Sequence, residues 1–156
     1  IQTHLPVSNE EARQRAIRLL QETGIPAAEQ RIDHYPHQFS GGMRQRVVIA
    51  LALAAEPKLI VADEPTTALD VSIQAQIIQL LKRICKDRGA AVMLITHDMG
   101  VIAETCDRVA VMYAGRIAEI GPVHEVINQP AHPYTEGLMA AIPDITVDRE
   151  RLNQID

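Results

Sequence analysis

Residues 12–20 carry apolar side chains at helical spacing. Alanine and leucine recur there three and four positions apart, which places them on one face of an amphipathic helix. Ser8 and Glu11 have the spacing of a capping box, so we expect the helix to begin directly after Ser8. Gly24, with a proline two residues further on, predicts where this helix ends.

Two further segments have helical patterns. The apolar run at residues 47–55 follows a Ser-Gly-Gly junction and stops before Pro57. Residues 72–88 carry isoleucine and leucine along one face, and Gly89 follows as a carboxyl-terminal stop. The sequence therefore predicts a second helix up to about residue 55 and a third over residues 72–88.

Two short apolar runs, at residues 58–62 and 91–95, have no helical spacing. Continuous apolar runs of this length are typical of strands that are buried on both faces of a parallel sheet. The predicted helix at residues 72–88 lies between them, so the order is strand, helix, strand. Such a unit has parallel strands and a right-handed crossover, which predicts an α/β fold.

A hairpin is predicted further along the chain. Residues 108–113 and 116–120 are strand-like and flank a turn that contains Gly115. We expect Gly121 and Pro122 to break the second strand.

The remaining segments are short. We expect helices from residue 99 to about 106, over residues 123–128 and over residues 134–142. Residues 27–38 are polar and irregular, and a polar tail follows residue 142.

Candidate chemistry lies where the two predicted parallel strands end. Asp63 and Glu64 follow the first strand, and His97 follows the second. Because ligands of open α/β sheets bind outside the carboxyl ends of the strands, these side chains should meet in one crevice. The alternative is structural: the two carboxylates would cap the next turn, and His97 would begin a helix.

Ser40, Gly41 and Gly42 form a second candidate site. A hydroxyl residue and two glycines directly before a long helix leave backbone N–H groups free to bind a phosphate. The same tripeptide is also an ordinary junction in which Ser40 caps the helix, and local chemistry favours that alternative.

Composition narrows the choice of partner. The chain has 156 residues, a formal net charge of -5 and 47% hydrophobic residues, as expected of a globular domain. The acidic balance argues against nucleic acid as the main partner, and no apolar run is long enough to span a bilayer.

Four short segments stand in a fixed order: residues 39–46 (FSGGMRQR), 59–65 (LIVADEP), 68–70 (ALD) and 96–98 (THD). They resemble, respectively, the signature motif, the Walker B strand, the D-loop and the switch-histidine loop of the ATP-binding subunits of ABC transporters. The resemblance implies a parallel-sheet core of the P-loop NTPase class, with part of a helical subdomain and a small carboxyl-terminal extension.

Residues 121–126 (GPVHEV) and 132–138 (HPYTEGL) carry a narrower resemblance. They are similar to the carboxyl-terminal extension of subunits that power the import of dipeptides, oligopeptides or nickel. This resemblance implies a second ATP-binding subunit as partner, in a homodimer or heterodimer, together with transmembrane permease subunits. The expected location is the cytoplasmic side of the inner membrane, with membrane contact only through partners.

The resemblance also implies roles for the strand-end residues, with ATP and Mg²⁺ as cofactors. Asp63 would hold Mg²⁺ through a water, because this cation prefers carboxylate and water oxygens. Glu64 would orient or deprotonate the attacking water, and His97 would contact the γ-phosphate.

The signature residues would act on another chain. By the resemblance, Ser40, Gly41 and Gly42 bind the γ-phosphate of a nucleotide seated on the opposite subunit, and Asp70 works across the same interface. Met43 stands where the family commonly has glutamine, so a side-chain role at that position has no support.

The Walker A pattern G-x-x-x-x-G-K-[ST] is missing, because the sequence has no Gly-Lys pair. The expectation is therefore a carboxyl-terminal fragment of a longer ATPase that is inactive alone. Residues 1–42 would be part of the helical subdomain, residues 43–120 part of the RecA-like core, and residues 121–156 the extension.

Two other functions remain open at this stage. The chain could be a non-catalytic interaction module that supplies Ser40 and Gly42 to a partner's nucleotide. Less favoured is an ABC-type ATPase that works on DNA or ribosomes, which the acidic balance opposes. Without its neighbouring strands the sheet should leave apolar surface uncovered, so we expect the isolated chain to self-associate, to exchange elements with a second copy or to be poorly soluble.

Overall fold

The structure is a computed structural model that describes residues 1–67 and 69–141. The chain divides into two compact units, one formed by Ile1–His97 and one that begins at Asp98. The three-part division by motif stays a prediction. In chain order the elements are α1 (Asn9–Glu22), α2 (Ala28–Arg31), α3 (Gly41–Leu53), β1 (Leu59–Asp63), α4 (Val71–Arg88), β2 (Ala91–Ile95), α5 (Met99–Thr105), β3 (Arg108–Tyr113), β4 (Arg116–Pro122), α6 (Val123–Asn128) and α7 (Pro133–Ala140).

The capping box predicted for α1 is confirmed. The Ser8 hydroxyl accepts a hydrogen bond from the Glu11 N–H at 3.2 Å, and the Glu11 carboxylate accepts one from the Ser8 N–H at 3.1 Å. Hydrogen bonding to Ser8 lowers the pKa of Glu11, and the bond from the Ser8 backbone N–H contributes most. After α1, Gly24 takes a left-handed conformation with φ of 79°, as expected of a helix stop.

The segment predicted to be irregular at residues 27–38 contains two short helical turns, so that prediction was wrong. These are α2 and a 3₁₀ turn at Pro36–Gln38. Arg13 of α1 holds the segment by donating two hydrogen bonds to Asp33, at 2.9 and 2.7 Å. A short polar helix carries no apolar period, so its stability depends on this tertiary contact, which the local pattern does not report.

The predicted strand, helix, strand unit is confirmed. β1 and β2 pair in parallel, from Leu59 opposite Ala91 to Asp63 opposite Ile95, and α4 connects them. Gly89 caps α4 in the left-handed conformation, with φ of 64°.

The sheet is not buried on both faces, which corrects the prediction for these strands. Ile60 and Ala62 are buried in the core that also contains residues of α1, α3 and α4, whereas Val61 is 58% exposed. β2 is mostly exposed, including Met93 at 53%. The described residues form a sheet of two strands with one covered face, and the apolar runs of the sequence cannot show which neighbours cover the other face.

The core of the first unit lies between α1, α3, α4 and one face of the sheet. Leu53 of α3 and Ile77 of α4 are almost fully buried. Cys85 is also buried there as a free thiol, and desolvation raises its pKa. None of the helices formed by the described residues is both long and apolar enough to cross a membrane.

The second unit contains the predicted hairpin of antiparallel strands β3 and β4. At its tip, Ala114 and Gly115 both have positive φ, as a tight two-residue hairpin turn requires. Gly121 and Pro122 do not break β4 as predicted, because they pair with Val109 and Arg108. Proline is tolerated at the end of an edge strand, where no ladder N–H is needed from it.

The helix α7 is attached to this hairpin. The carboxylate of Glu119 on β4 accepts hydrogen bonds from the backbone N–H groups of Ala131 at 2.9 Å and His132 at 3.1 Å. The rings of Tyr113 and Tyr134 are in contact, with centroids 4.4 Å apart. The last helix was predicted for residues 134–142. It begins at Pro133 and ends at Ala140, and residue 142 and the predicted polar tail lie outside the described residues.

Candidate functional site

Glu64 occupies an unusual backbone conformation directly after β1. Its φ is 42°, in the left-handed region that residues with a side chain rarely adopt. The Glu64 N–H donates a hydrogen bond to the carbonyl of Ile95 at 2.9 Å, so the end of β2 holds this backbone in place. A strained backbone of this kind costs on the order of 1–3 kcal/mol and is concentrated at functional sites.

The carboxylate of Glu64 is held from two sides. Thr67 donates its hydroxyl hydrogen bond to Oε2 at 2.8 Å, and Nδ1 of His97 lies 3.1 Å from Oε1. The Thr67 bond, followed by the His97 contact, lowers the pKa of Glu64. The carboxylate is therefore ionised at neutral pH.

This geometry assigns a tautomer to the neutral His97 ring. An ionised carboxylate only accepts hydrogen bonds, so Nδ1 carries the proton that it donates to Glu64. Nε2 is then the acceptor nitrogen, and the side chain is 84% exposed. The pair thus exposes a carboxylate and an imidazole ring to solvent at the carboxyl edge of the parallel sheet.

Asp63 ends β1 beside this pair, opposite Ile95, and its side chain is exposed. Within residues 1–67 and 69–141, no cluster of three His, Cys, Asp or Glu side chains could hold a metal ion.

Ser40 caps α3, as the structural alternative required. Its hydroxyl accepts a hydrogen bond from the Met43 N–H at 3.3 Å. Gly41 and Gly42 are the first two residues of the helix, where backbone N–H groups have no partner within the helix. Ser40 and Gly41 are exposed, so capping by Ser40 leaves this helix end accessible to an anion.

The structure brings together only some of the candidate residues. Glu64 and His97 are in contact, and Asp63 adjoins Glu64 in sequence. Asp70 is the exposed N-cap residue of α4. In the part of the chain that the structure describes, no hydrogen bond joins Ser40 or Asp70 to Glu64 or His97.

Thr67 is a member of the site that the motifs of the sequence did not predict. Its N–H donates to the Glu64 carbonyl at 3.2 Å, which closes a turn and brings its hydroxyl to the carboxylate. The signal was present in the sequence, because a proline follows Glu64 and favours a tight turn in which the first and fourth residues meet.

Comparison with known proteins gives two matches to family models. Residues 1–67 match the model described as ABC transporter, and residues 118–156 match the model described as Oligopeptide/dipeptide transporter, C-terminal region. The chain belongs to the ABC transporter ATP-binding family. The resemblance drawn from its motifs is thereby confirmed.

Curated ABC relatives cover nearly all of this chain. It is 58% identical to the oligopeptide transport ATP-binding protein OppD of Bacillus subtilis over 142 residues, 91% of this chain and 40% of that protein. It is 51% identical to the dipeptide transport ATP-binding protein DppD of Escherichia coli, over 97% of this chain and 46% of that protein. The chain thus spans less than half the length of these relatives.

Solved ABC structures confirm the fold class. A structure of cbiO1 from Clostridium perfringens, part of the ABC transporter complex cbiONQ, matches with a TM-score of 0.69 and 35% identity, over 79% of this chain and 48% of that one. A dimeric post-hydrolysis structure of the ATP-binding cassette MJ0796 with ADP and Pi matches with a TM-score of 0.63 and 38% identity, over 75% of this chain and 49% of that one.

Proposed function

We propose that the protein carrying this chain is the ATP-hydrolysing subunit of a peptide importer. The observation that carries the proposal is the Glu64–His97 pair, 3.1 Å apart at the carboxyl edge of the parallel sheet and next to Asp63. Membership of the ABC family supplies the reaction class, the hydrolysis of ATP to ADP and phosphate.

Glu64 is the proposed general base or orienting group for the attacking water. Its lowered pKa keeps it ionised, so it can accept a hydrogen bond from that water, and the lowered basicity favours the orienting role. Thr67 and His97 fix the direction of the carboxylate. With Nδ1 donating to Glu64, Nε2 of the neutral ring is an acceptor, so His97 would keep the attacking water in register with Glu64.

Residues of this chain suit the binding of a hydrated Mg²⁺ and of a phosphate group of a nucleotide. Asp63 offers an exposed carboxylate to a hydrated cation, and the amino end of α3 at Ser40, Gly41 and Gly42 offers N–H donors to a phosphate. Bound Mg²⁺ would neutralise charge that develops on the transferred phosphoryl group. The sequence has no Gly-Lys pair of the Walker A type, so these residues form only part of a nucleotide seat.

The proposed assembly is a pair of ATP-binding subunits on transmembrane permease subunits, at the cytoplasmic face of the inner membrane. Support for the pair comes from MJ0796, which is dimeric in its ADP-bound structure. In such a pair Ser40, Gly41 and Gly42 would face the nucleotide of the other subunit, and Asp70 would lie at the same interface. The names of the relatives and the match at residues 118–156 support dipeptides or oligopeptides as the solute.

The decisive variant is Glu64→Gln in the whole subunit, assembled with its permease. We expect ATP turnover to fall at least about 100-fold with ATP binding retained, because an amide cannot take the proton of the attacking water. Turnover is measured by phosphate release, and binding by equilibrium titration. Glu125→Gln, an exposed carboxylate-to-amide change in α6, is the matched control and should keep wild-type turnover.

Wild-type turnover in Glu64→Gln would overturn the proposed role of the pair. Uptake of a labelled dipeptide, a labelled oligopeptide and nickel by cells that carry the intact transporter tests the solute. ATP-dependent uptake of nickel alone would contradict the peptide assignment.

A further inference from the structure

The two signature glycines differ in what surrounds them. A methyl group placed on Gly42 would lie 2.8 Å from Cγ2 of Ile73 in α4, closer than side chains tolerate. A methyl group placed on Gly41 would lie 3.5 Å from Cδ2 of Leu69, an ordinary contact. Gly42 is therefore required by packing against α4 within this chain, apart from any role towards a phosphate.

A second contact joins the same two helices one turn further on. Arg46 donates one hydrogen bond to the side-chain carbonyl of Gln76 at 3.0 Å and another to the backbone carbonyl of Thr23 at 2.9 Å. A methyl group on Gly24 would lie 2.9 Å from the same guanidinium, so this glycine leaves space for Arg46. The guanidinium thereby connects α3 to α4 and to the end of α1.

These contacts share a geometry that fixes orientation. Gly42 and Arg46 are four residues apart on α3, and Ile73 and Gln76 are three apart on α4, so each pair lies on one helical face. Two contacts one turn apart set both the separation of the helices and the rotation of α3 about its axis. We call these four residues the signature–α4 joint.

The joint lies between the two segments that resemble the signature motif and the D-loop. α3 begins at the signature residues and α4 begins directly after Asp70 of the D-loop. Leu69 is itself partly buried against the core and adjoins Gly41. A displacement at the start of α4 would therefore be transmitted to the amino end of α3.

We propose that the signature–α4 joint couples the D-loop to the signature loop, with Ile73 and Gln76 as positioning residues. This inference rests on the proposed function, because Ile73 and Gln76 would position Ser40 and the free N–H groups of α3 towards a nucleotide. Neither side chain needs to touch the nucleotide. Each acts through the position of α3.

The packing part is tested in this chain by thermal unfolding. Gly42→Ala should lower Tm by about 3–9 °C, the effect of overpacking a tight contact. Ile73→Leu removes the methyl branch at Cβ that a residue-42 methyl would strike, whereas Ile73→Val keeps a branch there. We expect Gly42→Ala combined with Ile73→Leu to recover most of the loss, and Gly42→Ala combined with Ile73→Val to recover none. If the two double variants had the same Tm, the proposed close contact between residue 42 and Ile73 would be refuted.

The positioning part is tested in the whole subunit by steady-state kinetics below the unfolding transition. Gln76→Ala removes the acceptor of Arg46. We expect kcat to fall about three- to tenfold with KM for ATP unchanged. The nucleotide seat stays intact, but Ser40 and the N–H groups at the amino end of α3 are no longer correctly placed opposite the nucleotide. Gln76→Glu keeps an acceptor for the guanidinium and should retain kcat. A purely structural role would leave kcat of the folded Gln76→Ala variant unchanged, and that result would overturn the proposal.

The two proposals fail in different ways. A wild-type subunit without ATP turnover contradicts the proposed function, and the unfolding series still decides the packing of Gly42 on Ile73. A wild-type subunit that turns over ATP, with full kcat in Gln76→Ala, contradicts only the joint.

Discussion

At the scale of single residues, the chemistry of this chain depends on how Glu64 is held. Its backbone is forced into a left-handed conformation, and its carboxylate is fixed by Thr67 and His97. A carboxylate that faced solvent without these contacts would sample several rotamers and lose part of the effective concentration that positioning provides. Glu64, whose backbone is strained, is the first residue of the turn that brings the Thr67 hydroxyl to the Glu64 carboxylate.

Replacing Thr67 by valine should raise the pKa of Glu64 towards the ordinary value of a glutamate, because the hydrogen bond that lowers it most is lost. The carboxylate would then become protonated at higher pH, so the acidic limb of ATP turnover in the whole subunit should move to higher pH. Carboxyl NMR titration of Glu64 measures the shift directly in this chain.

Thr67→Ser is the matched control, because it keeps the hydroxyl and should titrate like wild type. An unchanged Glu64 titration in Thr67→Val would contradict the assigned cause of the pKa shift.

At the scale of elements, the attachment of α7 to β4 depends on one carboxylate. Glu119 accepts the N–H groups of Ala131 and His132, the two residues that precede α7. The Ala131 N–H is the largest cause of a lowered pKa at Glu119. A carboxyl group with a depressed folded-state pKa stabilises the fold above its unfolded-state pKa, and that contribution is lost as the pH falls through the folded-state value.

We therefore expect the attachment of α7 to weaken at acid pH, as the pH falls through the lowered pKa of Glu119 and the carboxylate becomes protonated. Glu119→Gln should weaken it several-fold at neutral pH, because an amide N–H₂ would face one of the two backbone donors. Hydrogen exchange of the Ala131 and His132 amides reports the effect.

Glu136→Gln, an exposed carboxylate-to-amide change in the first turn of α7, provides the comparison and should leave this exchange unchanged. Equal protection in Glu119→Gln and wild type would refute the role of Glu119.

At the scale of the whole molecule, the first unit has an apolar sheet face that its own helices do not cover. Val61 and Met93 are register partners on neighbouring strands, and both are more than half exposed. Leu59 and Ile95 add to this surface. Exposed apolar patches of this kind favour association with another surface.

The isolated chain should therefore self-associate with rising concentration, as measured by light scattering. Val61→Lys combined with Met93→Lys should reduce the association, because charge disfavours burial of the sheet face. Ser72→Lys combined with Gln79→Lys adds the same charge at exposed positions of α4 and should not reduce it. A monomer at all concentrations in the unaltered chain would contradict this expectation.

Local pattern determined most of the architecture. The caps at Ser8, Gly24 and Gly89, the parallel β1–α4–β2 unit and the turn at Gly115 all follow from residues near each other in the chain. The motif order was sufficient to predict the family. Such features are readable because helix periods, turn conformations and short motifs are encoded within a few residues.

Only the tertiary structure decided the features that depend on distant neighbours. One face of the sheet is uncovered, Ile95 holds the strained backbone of Glu64, and Ile73 leaves no space for a side chain at residue 42. Each depends on atoms brought together across 30 or more residues, where burial and close contact are set by packing. The sequence therefore determined which residues could act, and the fold decided which of them meet.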